Sequence, residues 1–279
     1  MKRIFSHALL AAGAAAGLTL SFIPPSPAAA AMSRWAESEG GRMRIVALPP
    51  DASGHIRAGL QIEPKPGWIT YWREPGESGI PPQVAALPGG NVSLKAIAYP
   101  VPKHLTAGPA NDFGYDGPVT LPLSFAVAEH GKAAQIDAQA FIGVCKNICI
   151  PFQATFSLPV TGKGGSHAEE IAILNAAAAR LPEQPGADFS VAAFALTPDL
   201  GRLQVQLKLP GGAHDADIIV TGPAGYVFTR QDKARPVEGG LSTEIVLPQL
   251  PRNYAPRGKQ WRILVKSGAR AMETVLAFR

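Results

Sequence analysis

The chain is poor in several things that would have given it away quickly. It has 279 residues but only two cysteines and four methionines, so a structural zinc site would need two further ligands from elsewhere. The histidines that could help, His55, His104, His130, His167 and His214, are scattered without ligand spacing, and no metal site is expected. Charged residues make up only 17% and form no basic run. Nor do aromatics interleave with basic residues, so no nucleic-acid partner is expected. A glycine-rich nucleotide loop and a nucleophile elbow are both missing, which leaves an organic cofactor without support. After the first thirty-odd residues no apolar run is long enough to cross a bilayer, so no direct membrane span is expected. No internal repeat stands out.

The first of the features present is the beginning, MKRIFSHALLAAGAAAGLTLSFIPPSPAAAA. Lys2 and Arg3 precede an apolar stretch from Ala8 to Leu20, then Pro24 and Pro25, then an A-x-A ending at Ala28 to Ala30. This order predicts a signal peptide over 1–31, cleaved near Ala30 or Ala31, and export to what reads as a bacterial periplasm. The formal charge of +5 loses Lys2 and Arg3 with the leader, which carries no acid, leaving +3. About 250 residues then remain, enough for two domains or one large β-rich one.

The mature chain is rich in turn formers, with 29 glycines and 27 prolines, yet 46% of residues are hydrophobic. That balance predicts many short strands rather than disorder. Between 42 and 160 the strand-like runs are HIRAGLQIEP, GWITYW, VTLPLSFAVAE, AQIDAQAFIGV and ATFSLPV. TGKGGS (161–166) reads as a linker, and Ser166 with Glu169 as a capping box opening a helix that Pro182 ends. Strands resume in LQVQLKLP, ADIIVTG, GYVFT, TEIVLPQL, WRILVKSG and METVLAF; LQVQLKL alternates strictly, the mark of a sheet with one wet face. The expected fold class is all-β. A β-sandwich domain at 32–160 is followed by a linker and short helix at 161–182 and a second β-sandwich-like domain at 183–279.

Both cysteines fall in FIGVCKNICIPFQ (141–153). In an extended strand, Cys145 and Cys149 would stand about 13 Å apart, beyond the roughly 7 Å that a disulfide tolerates. A turn at Lys146-Asn147-Ile148 solves this, with Asn147 suited to a left-handed position. Export favours a bridge. Three uses remain open. A structural staple closing so small a loop gains only about 2 kcal/mol of loop entropy. Two thiolates could hold Cu(I). A redox pair would profit from Lys146, whose charge favours a thiolate at Cys145, although C-x3-C is not the C-x-x-C of thioredoxin folds.

Three stretches decide the preference: GWITYWREPGESGIPP (67–82), PKHLTAGPANDFGYDGPVTLPL (102–123) and VCKNICIP (144–151). Together they resemble the N-terminal periplasmic domain of DsbD-type protein-disulfide reductases, with the ScsB-like subgroup, associated with suppression of copper sensitivity, the closest in pattern. The resemblance implies an immunoglobulin-like sandwich whose Cys145–Cys149 disulfide is the redox pair, exchanging electrons with thioredoxin-fold periplasmic proteins. It further implies that Phe113, with Tyr115, caps the disulfide, that Asp112 is an acid near the cysteines and that Tyr71 is a neighbouring aromatic. The second cysteine tends to form the mixed disulfide in the family, which points to Cys149. Family members continue into membrane helices and a thioredoxin-like domain that this sequence does not carry, so a separately encoded membrane electron transporter is expected. The competing expectations are a copper-tolerance Cu(I)-binding module and a structural sandwich with an inert bridge.

Overall fold

The computed structural model describes residues 32–76, 79–105, 112–160, 167–213, 215–222, 225–247, 250 and 254–278. Residues 1–31, expected to be a signal peptide, the TGKGGS segment with its Ser166, and His214 lie outside them. Among the described residues, nineteen strands and one α-helix follow in order. The first eleven strands are β1 (Ala36–Glu37), β2 (Gly41–Ala47), β3 (His55–Pro64), β4 (Ile69–Gly76), β5 (Gln83–Ala86), β6 (Val92–Ile97), β7 (Lys103–Leu105), β8 (Asp112–Tyr115), β9 (Val119–Val127), β10 (Gln135–Cys145) and β11 (Cys149–Pro159). Then come α1 (Ala168–Ala178), β12 (Ser190–Leu196), β13 (Arg202–Lys208), β14 (Asp217–Thr221), β15 (Val227–Phe228), β16 (Gln231–Val237), β17 (Gly240–Val246), β18 (Gln260–Ser267) and β19 (Arg270–Ala277).

Two face-to-face sheets make an immunoglobulin-like sandwich from the first eleven. One runs β1-β2-β3-β9-β6 and the other β11-β10-β4-β8-β7, with β5 added on β10. Every pairing is antiparallel, and alternation drives the packing. In β9, Val119, Leu121, Leu123 and Phe125 turn inward while Thr120, Pro122 and Ser124 turn out. In β10, Ile136, Ala138, Ala140, Ile142 and Val144 are all fully buried in the same core.

β3 departs from strict alternation because its outer face is also covered. α1 lies across it, burying Glu170, Leu174 and Ala177 along one stripe, with Leu174 against Gly59 of β3. Arg57 donates to the Asn175 side chain at 2.9 Å, and the Val101 amide donates to the Arg180 carbonyl at 3.0 Å. The helix is thus packed onto the first sandwich rather than standing free as a spacer. Its N-cap is His167, with no side-chain capping bond, and the expected box falls on Ser166, outside the described residues.

The remaining strands form a second pair of sheets, β12-β13-β17-β16 and β15-β14-β18-β19. β13 shows the wet face that its sequence predicts: Leu203, Val205 and Leu207 are buried while Gln204, Gln206 and Lys208 are exposed. β14 and β18 are instead covered on both sides. Ile218, Val220, Ile263 and Val265 fill the second core. Ile219 and Leu264, between them, pack with the core of the first sandwich.

Candidate functional site: a disulfide at a hairpin tip

β10 and β11 form a long hairpin in full register, from Gln135 opposite Pro159 to Cys145 opposite Cys149. The two cysteines end the ladder, with Cα atoms 4.1 Å apart and their sulfurs bonded. Lys146, Asn147 and Ile148 make the connection, and the Lys146 amide donates to the Ile148 carbonyl at 3.1 Å. The turn differs from expectation in one respect. Leu200 and Lys233 are the non-glycine residues with positive φ among those described, so Asn147 closes the loop without the left-handed conformation.

The sulfurs are unequal. Cys145 is 3% exposed, whereas Cys149 is exposed. Alternation puts both on the outer face of the sheet, since Val144, between Gly143 and Cys145, points into the core. Ile69 of β4 stands beside Cys145 in the ladder, so Tyr71, two residues on, shares the outer face. Its hydroxyl reaches Sγ of Cys149 at 3.3 Å.

Tyr71 is 2% exposed because its ring lies in a slot made by missing side chains. A Cβ on Gly143 would stand 2.6 Å from Cβ of Ile80 and 3.2 Å from Cδ2 of the Tyr71 ring. A Cβ on Gly79 would stand 2.5 Å from Cδ1 at the ring's other edge. The segment Gly79-Ile80 crosses the outer face and clamps the phenol against β10. The sequence alone singles out neither glycine, although Gly143, inside a strand, is of the kind that signals close backbone approach.

Burial pushes the Tyr71 phenol up to about 12, with the nearby Asp112 carboxylate adding to the shift. At neutral pH it is therefore a proton donor, able to hydrogen-bond a thiolate on Cys149 once the bridge is reduced. The unfolded chain, with an ordinary phenol near 10, loses this proton first. Stability present below pH 10 is then lost as pH rises towards 12, by about 1.4 kcal/mol per unit. Tyr71→Phe is expected to remove this component of the alkaline instability. The check is an absorbance titration at 295 nm alongside chemical unfolding at pH 9 and pH 11.

The other expected site residues separate into two groups. Asp112 is buried, on the outer face with Tyr71. Lys146 is exposed and extends towards the β3–β4 turn, its Cε 3.4 Å from where a Cβ of Gly67 would be. Phe113 and Tyr115 alternate with Asp112 and so turn inward; both belong to the core cluster, Phe113 being 2% exposed and stacked on His104 at 5.0 Å. The Tyr115 hydroxyl donates to the Pro100 carbonyl at 2.8 Å. This corrects the capping expectation: the two rings lie beneath the sheet, on the far side from the sulfurs. The register, which the sequence alone does not give, decides the face. Residues 106–111, just before β8, lie outside the described residues. Among the described residues no group of three or more His, Cys, Asp or Glu is placed to hold a metal ion. None of their helices is long and apolar enough to cross a membrane.

Comparison with known proteins bears on the family and the fold. Residues 43–161 match the family model of the thiol:disulfide interchange protein DsbD, N-terminal. The N-terminal periplasmic domain of ScsB from Proteus mirabilis superposes with a TM-score of 0.68 at 20% identity, covering 89% of this chain and 99% of that one. A conserved domain protein from Bacillus anthracis aligns over 88% of this chain and 90% of its own, at 8% identity and a TM-score of 0.25, too low to carry an argument. No curated protein sequence matches the chain.

Proposed function

We propose, from the DsbD N-terminal-type domain that residues 43–161 form, that the protein is a periplasmic electron relay working by thiol–disulfide exchange through Cys145 and Cys149. The observation that carries this reading is the asymmetry of the bridge. One sulfur is open to a visiting protein, the other is shielded, and a phenol stands at the open one. An inert staple has no use for that arrangement.

In the reducing direction, the Cys149 thiolate attacks one sulfur of a partner's disulfide. A mixed disulfide forms and the partner's other sulfur leaves as a thiolate, which takes up a proton. The Cys145 thiolate then attacks Sγ of Cys149, restoring the internal bridge and releasing the partner with both thiols. Two electrons pass to the partner, and the reverse sequence reloads the pair. Tyr71 stabilises the Cys149 thiolate before attack and again when Cys149 is the leaving group in the reverse direction.

The partners on this reading are thioredoxin-fold proteins, and the electrons come from a membrane transporter. The leader is removed near Ala30 or Ala31. Residues 32–160 make the redox domain, 161–182 the connection and 183–279 a second domain.

Equilibration of the oxidised protein against glutathione buffers tests the reading. A reduction potential above about −300 mV is expected, and a value well below it would mark a structural bond instead.

A further inference from the structure

Strand β4 is held unevenly. Ile69 and Thr70 pair with β10, and Thr70 and Tyr71 pair with β8. The next ladder contact is Gly76 with Asp112, so residues 72–75 stand opposite the single residue Phe113. Tyr71 is therefore the last residue in register before a bulged stretch with no ladder pairing, and main-chain bonding leaves its position under-determined on that side.

The bulge receives a side-chain contact from the far end of the chain. Arg73 pairs with Glu273 of β19, across 200 residues of sequence. Their side chains are only 18% and 11% exposed, and Nη1 lies 3.3 Å from Oε2 in addition to a closer Nη2–Oε1 contact. The guanidinium also lies 4.0 Å from the centroid of the Trp72 ring, which is 1% exposed.

Glu273 is itself firmly seated. Its amide donates to the Glu183 carbonyl at 3.1 Å, and the Glu183 amide donates to Ala271 at 2.8 Å. Arg270 grips the Glu183 carboxylate at 2.8 and 2.7 Å and Asp188 at 2.6 Å. A shielded ion pair of this kind is poor evidence of stability, because desolvation offsets the attraction, but it fixes geometry.

We infer that Glu273 is a positioning residue for the redox centre: through Arg73 it fixes the bulge of β4, and with it the Tyr71 hydroxyl at the Cys149 sulfur. The second sandwich thereby acts on the chemistry of the first. The inference rests on the proposed exchange role of Cys149, and it deepens that role by giving residues 183–279 a part in it.

A double-mutant cycle tests it. Cys145→Ala protein leaves one thiol, whose alkylation by iodoacetamide at neutral pH reports the thiolate on Cys149. Tyr71→Phe is expected to slow alkylation. Glu273→Gln is expected to slow it about two- to threefold or more, and to change nothing further once Tyr71 is Phe. In the two-cysteine protein Glu273→Gln should also shift the reduction potential, again only while Tyr71 is present. A rate unchanged by Glu273→Gln, or an effect that persists in full beside Tyr71→Phe, overturns the inference. If Glu273→Gln does not fold, Glu273→Asp, which keeps the charge and shortens the reach, enters the same cycle. Alkylation needs no partner protein, so a protein that fails to exchange yet shows the coupling refutes the relay and not the positioning. The converse result refutes the positioning alone.

Discussion

Cys145→Ala protein is expected to accumulate a covalent complex with a thioredoxin-fold partner, and Cys149→Ala protein to accumulate almost none. The two sulfurs are chemically alike, and the contrast comes from where the hairpin puts them. Cys149 is exposed at the tip, so a partner's sulfur can approach along the line of the bond to be made. Cys145 is 3% exposed, with Ile69 beside it and the fully buried Val144 before it. A lone thiol there meets no partner sulfur. Each variant is mixed with a thioredoxin-fold protein whose resolving cysteine is removed and whose remaining cysteine carries a thionitrobenzoate mixed disulfide, so that attack on that cysteine's sulfur releases thionitrobenzoate; non-reducing electrophoresis then measures both yields. Steric access alone separates the two, and a difference of about a hundredfold in trapping rate is expected. Equal trapping by the two variants would remove the asymmetry on which the relay reading stands.

Gly143→Ala is the second large effect. The added methyl would meet Cβ of Ile80 at 2.6 Å and its carbonyl oxygen at 3.2 Å. These atoms belong to or adjoin the backbone, so no rotamer change relieves the contact, and the segment Gly79-Ile80 has to move. Overpacking of this sort costs about 1–3 kcal/mol. The same methyl would stand 3.2 Å from Cδ2 of Tyr71, so the ring shifts with the segment and its hydroxyl leaves Cys149. A lower urea midpoint should therefore appear together with slower Cys149 alkylation. An unaltered midpoint would show that the clamp is loose.

The fold was largely legible because its signals are local. Alternation in LQVQLKL and the apolar run of AQIDAQAFIGV name their strands directly. The spacing of Cys145 and Cys149 requires a turn, and the structure makes it at the three residues between them. What stayed hidden depends on register or on distance. GWITYW reads as an alternating strand with one face for core and one for surface, yet Thr70, Tyr71 and Trp72 are all buried, because the segment carrying Gly79 and Ile80 covers the outer side. The aromatic in NDFGY (111–115) could have faced either way, and only its pairing with β4 and β7 sends Phe113 inward. Glu273 carries no local mark at all. Its partner is 200 residues away, and no spacing rule connects them.

Ile219 and Leu264 have a consequence beyond their own sheet. They complete an interior whose other fully buried members all precede residue 161. The stretch that carries the interchange signature is therefore not a detachable module: cut free at its end, it would bare an oily scar where those two side chains had been. Insertions or fusions at that junction inherit the same constraint, and the two halves of the chain must be inherited, and altered, as one object.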